Sequence, residues 1–320
     1  MHDPIAVILA EQPLMILDGA LASELERRGA DLADPLWSAK LLIESPDAIR
    51  RLHADYYAAG ADVAITASYQ ASFQGFAARG LDRYEAARLM RLSVALAREA
   101  RDDFWAVEAN RAGRVKPLVA ASVGPYGAVL ADGSEYRGDY GLTVSQLMDF
   151  HRPRIEVLLS AGPELLACET LPSALEAEAI AKLLADDFTD ARAWVSFTCR
   201  DGAHTADGGA FADAVAMLSD VEQVVAVGVN CTAPAYVAEL ISRASAVSAK
   251  PLLAYPNSGE RYDAEHKCWH GRADDFAALA HDWFAAGARL IGGCCRTGPA
   301  DIRALSVWRR ELAAAGTGRG

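Results

Sequence analysis

The 320-residue sequence contains six cysteines but no Cys-x₂₋₄-Cys pair. That absence excludes the usual structural zinc framework, which is built on such pairs. Six thiols in a chain this long are also too sparse for a disulfide scaffold. Basic character is lacking: 31 Lys and Arg against 43 Asp and Glu leave a formal net charge of −12. This argues against nucleic acid as a partner and is compatible with a cationic small substrate. No apolar run reaches the length of a membrane span, and the patch from Ile5 to Ala10 has no basic region ahead of it, so neither membrane nor export is expected. A reducing cytoplasm that keeps thiols free is the natural setting. Linkers, low-complexity tracts and composition shifts are missing too, and a single domain over 1–320 is expected. No Gly-x-Gly-x-x-Gly follows the first apolar run, which removes the main support for a doubly wound dinucleotide fold.

What the chain does have is a repeating unit. Short apolar runs lie at Met15–Gly19, Asp62–Ala67, Pro117–Val123, Glu164–Thr170, Ala193–Cys199, Val224–Cys231, Pro251–Pro256 and Arg289–Cys295. Amphipathic stretches separate them: Tyr84–Ala100, Ser145–Ser160, Ser173–Leu184, Ala210–Leu218, Pro234–Val247, Asp274–Ala286 and Pro299–Ala313, with an extra helix at Pro46–Ala59. Continuous rather than alternating apolar runs indicate parallel strands buried on both faces. Eight of them, each followed by a helix, predict an α/β (β/α)₈ TIM barrel. Such barrels carry their chemistry at the C-terminal ends of the strands. Asp18, Thr66, Tyr69, Ser122, Glu169, Thr170, Thr198, Asn230 and Asn257 collect there.

Three cysteines collect there as well: Cys231 at the end of the sixth run, and Cys294 and Cys295 after Gly292-Gly293 in the eighth. Three thiolates converging on one point suit Zn²⁺, and three protein ligands leave a tetrahedral position open, as in a catalytic site. Successive side chains of a strand face opposite ways, so the vicinal pair requires a bend, for which the two glycines are expected to supply the freedom.

These residues resemble the homocysteine S-methyltransferase family over nearly the full length. The resemblance is carried by Leu17-Asp18-Gly19-Ala20, Cys168-Glu169-Thr170, Gly228-Val229-Asn230-Cys231 and Gly292-Gly293-Cys294-Cys295-Arg296. It implies a zinc barrel that methylates the sulfur of homocysteine to make methionine. By position, Cys231, Cys294 and Cys295 would hold the zinc, and Asp18 and Glu169 the substrate ammonium group. The segments Val123–Ala128, Leu130–Gly138 and Tyr255–Glu260 resemble the branch that uses S-methylmethionine, or sometimes S-adenosylmethionine, as donor. Tyr126 and Tyr136 are candidate donor contacts, and Thr66, Tyr69, Ser122, Asn230 and Asn257 candidate walls of the site. Asn257 either orders its loop or reaches the metal when substrate is absent. Cys268 stands where the family leads us to expect threonine.

Blander readings accompany each of these. Buried cysteines are often only core, which is the expectation for Cys168 and Cys199. Asp18 has the alternative of a helix cap, and Glu169 that of a buried ion pair. His266, Cys268 and His270 read as a loop thiol between solvated histidines rather than a second metal site. Within the family, a betaine-using or a selenium-methylating enzyme is the alternative. Outside it, Gly292-Gly293 could cradle phosphate in an isomerase or lyase, or the cysteines could form a closed, non-catalytic zinc site. The sequence leaves the oligomeric state open.

Overall fold

The computed structural model describes residues 3–31, 37–130, 132–263, 268–270 and 275–317. Eight parallel strands form one sheet. They are β1 (Met15–Ile16), β2 (Val63–Ile65), β3 (Leu118–Val123), β4 (Leu165–Leu171), β5 (Ala193–Phe197), β6 (Val224–Asn230), β7 (Leu252–Tyr255) and β10 (Ala288–Ile291). Between β7 and β10 lies a small antiparallel hairpin, β8 (Arg261–Asp263) with β9 (Cys268–His270). The order around the sheet is β1-β10-β7-β6-β5-β4-β3-β2, the order of a (β/α)₈ barrel. The strands fall on the predicted apolar runs, and β4 and β6 are buried at every position. The hairpin and the first helix, Pro4–Glu11, were not anticipated. That helix starts on Asp3, which accepts from the Ile5 and Ala6 amides at 2.9 and 3.3 Å. Its Ile5 and Ile8 join Met15, Leu17, Val63, Ala120, Leu165, Ala167, Trp194, Ala226, Leu253 and Leu290 in the inner apolar cluster. A second, larger cluster packs the outer faces of the strands against the helices.

β1 and β2 do not pair as a ladder, and two aspartates close that seam. The Asp62 amide donates to the Ile16 carbonyl at 2.7 Å, and the Ile16 amide donates to Asp62 Oδ2 at 2.8 Å. At the other end the Ile65 amide donates to Asp18 Oδ2 at 2.8 Å. Asp62 is charge-balanced by Arg309, which bonds it directly, and by Arg114 at 3.6 Å. Asp18 therefore has a structural duty beyond the sequence expectation, through one of its two oxygens.

His53, on the helix Pro46–Ala59, is fully buried, and neither ring nitrogen has a hydrogen-bond partner. Burial depresses its pKa to about 4. The unfolded chain, with an ordinary histidine, takes up the proton first as pH falls, so stability is lost between the two values. From pH 7 to pH 4 this single group is expected to remove about 3 kcal/mol. Urea titrations of wild type and His53→Leu check it: the difference in stability between them should widen steadily below pH 6.5. A constant difference across that range would assign the acid sensitivity elsewhere. Among the described residues, no helix is long and apolar enough to cross a membrane.

Candidate active site

Different backbone devices bring the cysteines to the barrel mouth. Asn230 ends β6, and Cys231 follows with φ 47°, a left-handed conformation rare outside glycine. That turn redirects a side chain which strict alternation would have sent to the outer face. β10 stops at Ile291, so Cys294 and Cys295 lie past the strand, where alternation no longer applies. The glycine pair before them provides room rather than a bend, which corrects the expectation. Neither glycine has a positive φ; that falls on Arg296, at 69°. A Cβ on Gly292 would sit 2.5 Å from Leu17 Cβ and 2.7 Å from the Asp18 carbonyl oxygen, and one on Gly293 would collide with Thr297. Both amides are also spent within the barrel, Gly292 on Ala254 at 3.1 Å and Gly293 on Asp18 at 3.0 Å. No free amide pair remains there for a phosphate.

The three Sγ atoms lie within 4.8 Å of one another. Cys231 and Cys294 meet sulfur to sulfur, with Cα atoms 5.6 Å apart. Thiols aimed at one point are within bonding reach once oxidised. Cys295 remains free, its Sγ 4.0 Å from that of Cys231. Metal–sulfur bonds of about 2.3 Å in a tetrahedron place sulfurs about 3.8 Å apart. The Cys231–Cys295 spacing already matches, and as thiolates around a cation Cys231 and Cys294 would move apart to the same spacing. Burial pushes the Cys295 thiol up to about 12, so a cation is needed to hold it as thiolate. Among the described residues no further Cys, His or carboxylate joins the group, which fits an open metal site better than a closed one. Of the His266, Cys268 and His270 cluster, Cys268 and His270 lie on β9, opposite Asp263 and Arg261, and His266 lies outside the described residues.

Beside the sulfurs, a chain of hydrogen bonds runs around the mouth from β2 to β7. Thr66 Oγ1 meets Ser68 Oγ at 2.7 Å and accepts from the Ser122 amide at 3.1 Å. Ser122 Oγ donates to Glu169 Oε1, and Tyr255 is a second hydrogen-bond partner of that carboxylate. The Tyr255 hydroxyl meets Ser196 Oγ at 2.6 Å, and Ser196 Oγ donates to Asn230 Oδ1 at 2.8 Å. Asn230 then grips Thr170 twice, accepting from its amide and donating to its hydroxyl, both at 2.7 Å. Thr170 has φ 61°, a costly conformation for a β-branched residue, of order 1–3 kcal/mol. Asn230, expected at the site wall, is thus fully buried and spends its amide on fixing Thr170. Tyr69 is tied to the same threonine through its hydroxyl.

Burial raises the Glu169 carboxyl to about 7, against the opposing bonds from Ser122 and Tyr255. Asp18 is likewise raised, by burial first and by the charge of Glu169 as well. Asp18 Oδ1 and Asn257 Oδ1 are buried acceptors with no hydrogen-bond partner. Two carboxylates and an idle amide oxygen beside a sulfur cluster form a seat for a group rich in N–H donors. The Tyr126 ring packs edge-on to Tyr140 and Phe150, with centroids 5.3 and 5.0 Å away. Tyr136 is 46% exposed.

Two features escaped the sequence reading. Arg154 is 1% exposed, and its guanidinium donates to the carbonyls of Gly124 at 2.9 Å, Ser68 at 3.2 Å and Tyr69 at 2.9 Å. It ties the loop after β2 to the loop after β3. An arginine within a helical pattern reads as solvated, and nothing local marks it otherwise. The second is the clamp of Arg296 on Glu260, at 3.0 and 3.3 Å. With the Ser258 amide on the Cys295 carbonyl at 3.0 Å, it fixes the loop after β7 to the vicinal cysteines.

A parallel barrel with three sulfurs and two buried carboxylates at its C-terminal mouth defines a barrel enzyme with a sulfur-lined metal site. A family model described as Homocysteine S-methyltransferase matches residues 15–308. The chain belongs to that family, and it is a methyltransferase. Homocysteine S-methyltransferase YbgG of Bacillus subtilis is 53% identical over 312 residues, 97% of this chain and 99% of its own. The homocysteine methyltransferase MmuM of Escherichia coli, in a metallated form, superposes with a TM-score of 0.87 at 52% identity, over 96% of this chain and 100% of that one. Its oxidised form gives 0.86 at the same identity and the same coverage.

Proposed function

We propose that the chain transfers a methyl group from a sulfonium donor to the sulfur of homocysteine, yielding methionine, with zinc held by Cys231, Cys294 and Cys295. S-methylmethionine is the preferred donor and S-adenosylmethionine the second. The observation that carries the reading is the convergence of three sulfurs beside buried carboxylates in a member of this family. Zinc bound by these sulfurs would lower the pKa of an incoming thiol and keep it as the thiolate nucleophile. Asp18, through its idle Oδ1, and Glu169 receive the substrate ammonium group. A carboxyl raised to about 7 by burial is drawn into its ionised form by that cation. Ser122 and Tyr255 orient Glu169, and Asn230 and Thr170 hold the neighbouring wall.

The donor sulfur begins positive and departs as a neutral thioether, so the transfer requires no proton donor. The bond from the donor sulfur to the methyl carbon breaks as the new sulfur–carbon bond forms, and the electron pair leaves with the donor. The chain's task is therefore alignment and exclusion of water. A reducing compartment, the cytoplasm, suits a site whose cysteines must be free. Small molecules are its partners, with no part for nucleic acid or membrane, and one barrel domain accounts for the chain.

Reduced, zinc-loaded protein assayed with homocysteine against S-methylmethionine, S-adenosylmethionine and betaine tests the reading. Turnover is expected with the sulfonium donors, S-methylmethionine first. A clear preference for betaine, or no sulfonium turnover, would overturn it. In the same assay Glu169→Gln is expected to raise the KM for homocysteine about 10- to 100-fold, the worth of a hydrogen bond to a charged group. Simple thiols without an amino group should be indifferent to that change. Unchanged homocysteine kinetics in the variant would remove Glu169 from the ammonium seat.

A further inference from the structure

Asp18 and Asn257 are not the only residues near the mouth with an idle buried acceptor. Glu135 Oε2 is also buried without a hydrogen-bond partner. Glu135 lies on a short 3₁₀ turn, Ser134–Tyr136, in the connection after β3. That connection is braced on its neighbours. Gly127 packs directly on the Glu135 backbone, and a Cβ at Gly138 would stand 3.1 Å from both Pro172, after β4, and Asp207, after β5. The turn thus spans the loops of three consecutive strands at the C-terminal end. The same connection begins against Tyr69: a Cβ at Gly124 would stand 2.7 Å from the tyrosine ring.

The adjacent cation does not neutralise Glu135 by contact. Arg137 is engaged with Ser134 Oγ at 3.0 Å and with Asp132 and Asp139, each at 3.8 Å. A buried carboxylate oxygen with no partner is costly unless a ligand satisfies it.

We propose that Glu135 binds the α-ammonium group of the methyl donor, so that the donor sits beneath the 132–138 turn with Tyr69 along its sulfonium. The inference rests on the sulfonium-donor reading above. An S-methylated amino acid carries two cations with opposite fates. Its sulfonium charge vanishes during transfer, and a carboxylate there would stabilise the ground state and oppose reaction. Its ammonium charge persists throughout, so a carboxylate there binds ground and transition states alike. An aromatic face such as Tyr69 suits the sulfonium. The two amino-acid substrates then have separate carboxylate seats: Asp18 and Glu169 for the acceptor, Glu135 for the donor.

The experiment uses the reduced, zinc-loaded full chain. Glu135→Gln is expected to raise the KM for S-methylmethionine about 10- to 100-fold, as loss of a charged hydrogen bond should. kcat and the KM for homocysteine should stay within about twofold, the signature of lost uniform binding. Glu135→Asp, which keeps the charge on a shorter arm, should fall between wild type and Gln. Dimethylsulfoniopropionate, a sulfonium without an ammonium group, is measured as donor or as inhibitor and should not distinguish the variants. An unchanged donor KM in Glu135→Gln, or an equal rise for homocysteine, overturns the assignment while leaving the donor reading intact. If wild type itself turns over no sulfonium, the donor reading falls and this inference falls with it.

Discussion

Cys294→Ser is expected to lower metal affinity by more than about 100-fold, beyond the 10- to 100-fold typical of losing a mere supporting partner, and to take methyl transfer below detection. Cys231→Ser and Cys295→Ser should behave alike, because each removes one of three convergent sulfurs. The barrel should survive all three changes. The sulfurs sit past the strand ends, Cys294 only at the edge of the inner apolar cluster, and serine is close to cysteine in size, so the loss of packing is small. Metal content by mass spectrometry, activity and circular dichroism, read together, separate a lost ligand from a lost fold. Wild-type metal content in the Cys294→Ser, Cys295→Ser double variant would refute the assignment. Metal loading of wild type should also require all three cysteines as free thiols, since thiolates are the ligands.

The second large effect concerns stability. Arg154→Met is expected to destabilise the protein by about 3–5 kcal/mol, the usual consequence of removing one member of a buried charged network. The carbonyls of Tyr69 and Gly124 lose their donor at once, and that of Ser68 keeps only the Ala71 amide at 3.0 Å. Behind them lies Glu176, fully buried, which accepts from the Tyr126 amide at 2.6 Å and pairs with His151 at 2.9 Å. Removing the nearby guanidinium leaves that carboxylate with less positive charge around it. Because the loops after β2 and β3 lose their tie, the donor KM should rise in whatever fraction remains folded. Denaturant titration measures the first effect and steady-state kinetics the second. A loss below about 1 kcal/mol, the size of one ordinary hydrogen bond, would mean the loops are fixed by other contacts.

The sequence revealed most about the metal site and least about what supports it. Cys231, Cys294 and Cys295 were legible because chemistry restricts which residue types can bind a soft metal, and the apolar runs fixed where the strands end. Asp18 and Glu169 were placed by the same strand-end rule, and the structure puts both, buried, at the mouth. Asn230 was read as a wall residue from its place beside a ligand, but that adjacency says nothing of where its amide points. The structure commits it to Thr170 and Ser196. The glycine pair was correctly noticed for the wrong reason. Close approach of Leu17 and Thr297, not backbone freedom, requires it, and such proximity exists only after the barrel closes. Arg154 and Tyr255 depend on partners 30 to 86 and 59 to 86 residues away, a separation that no local pattern records.

The central claim is that three cysteine sulfurs hold a metal with one position left for the substrate sulfur. Zinc X-ray absorption on reduced, loaded protein, with and without homocysteine, tests it most directly. The account predicts three sulfurs and one lighter atom around the zinc in the free enzyme, and four sulfurs once homocysteine is added. Four sulfurs before substrate, or an unchanged shell after it, would contradict the claim.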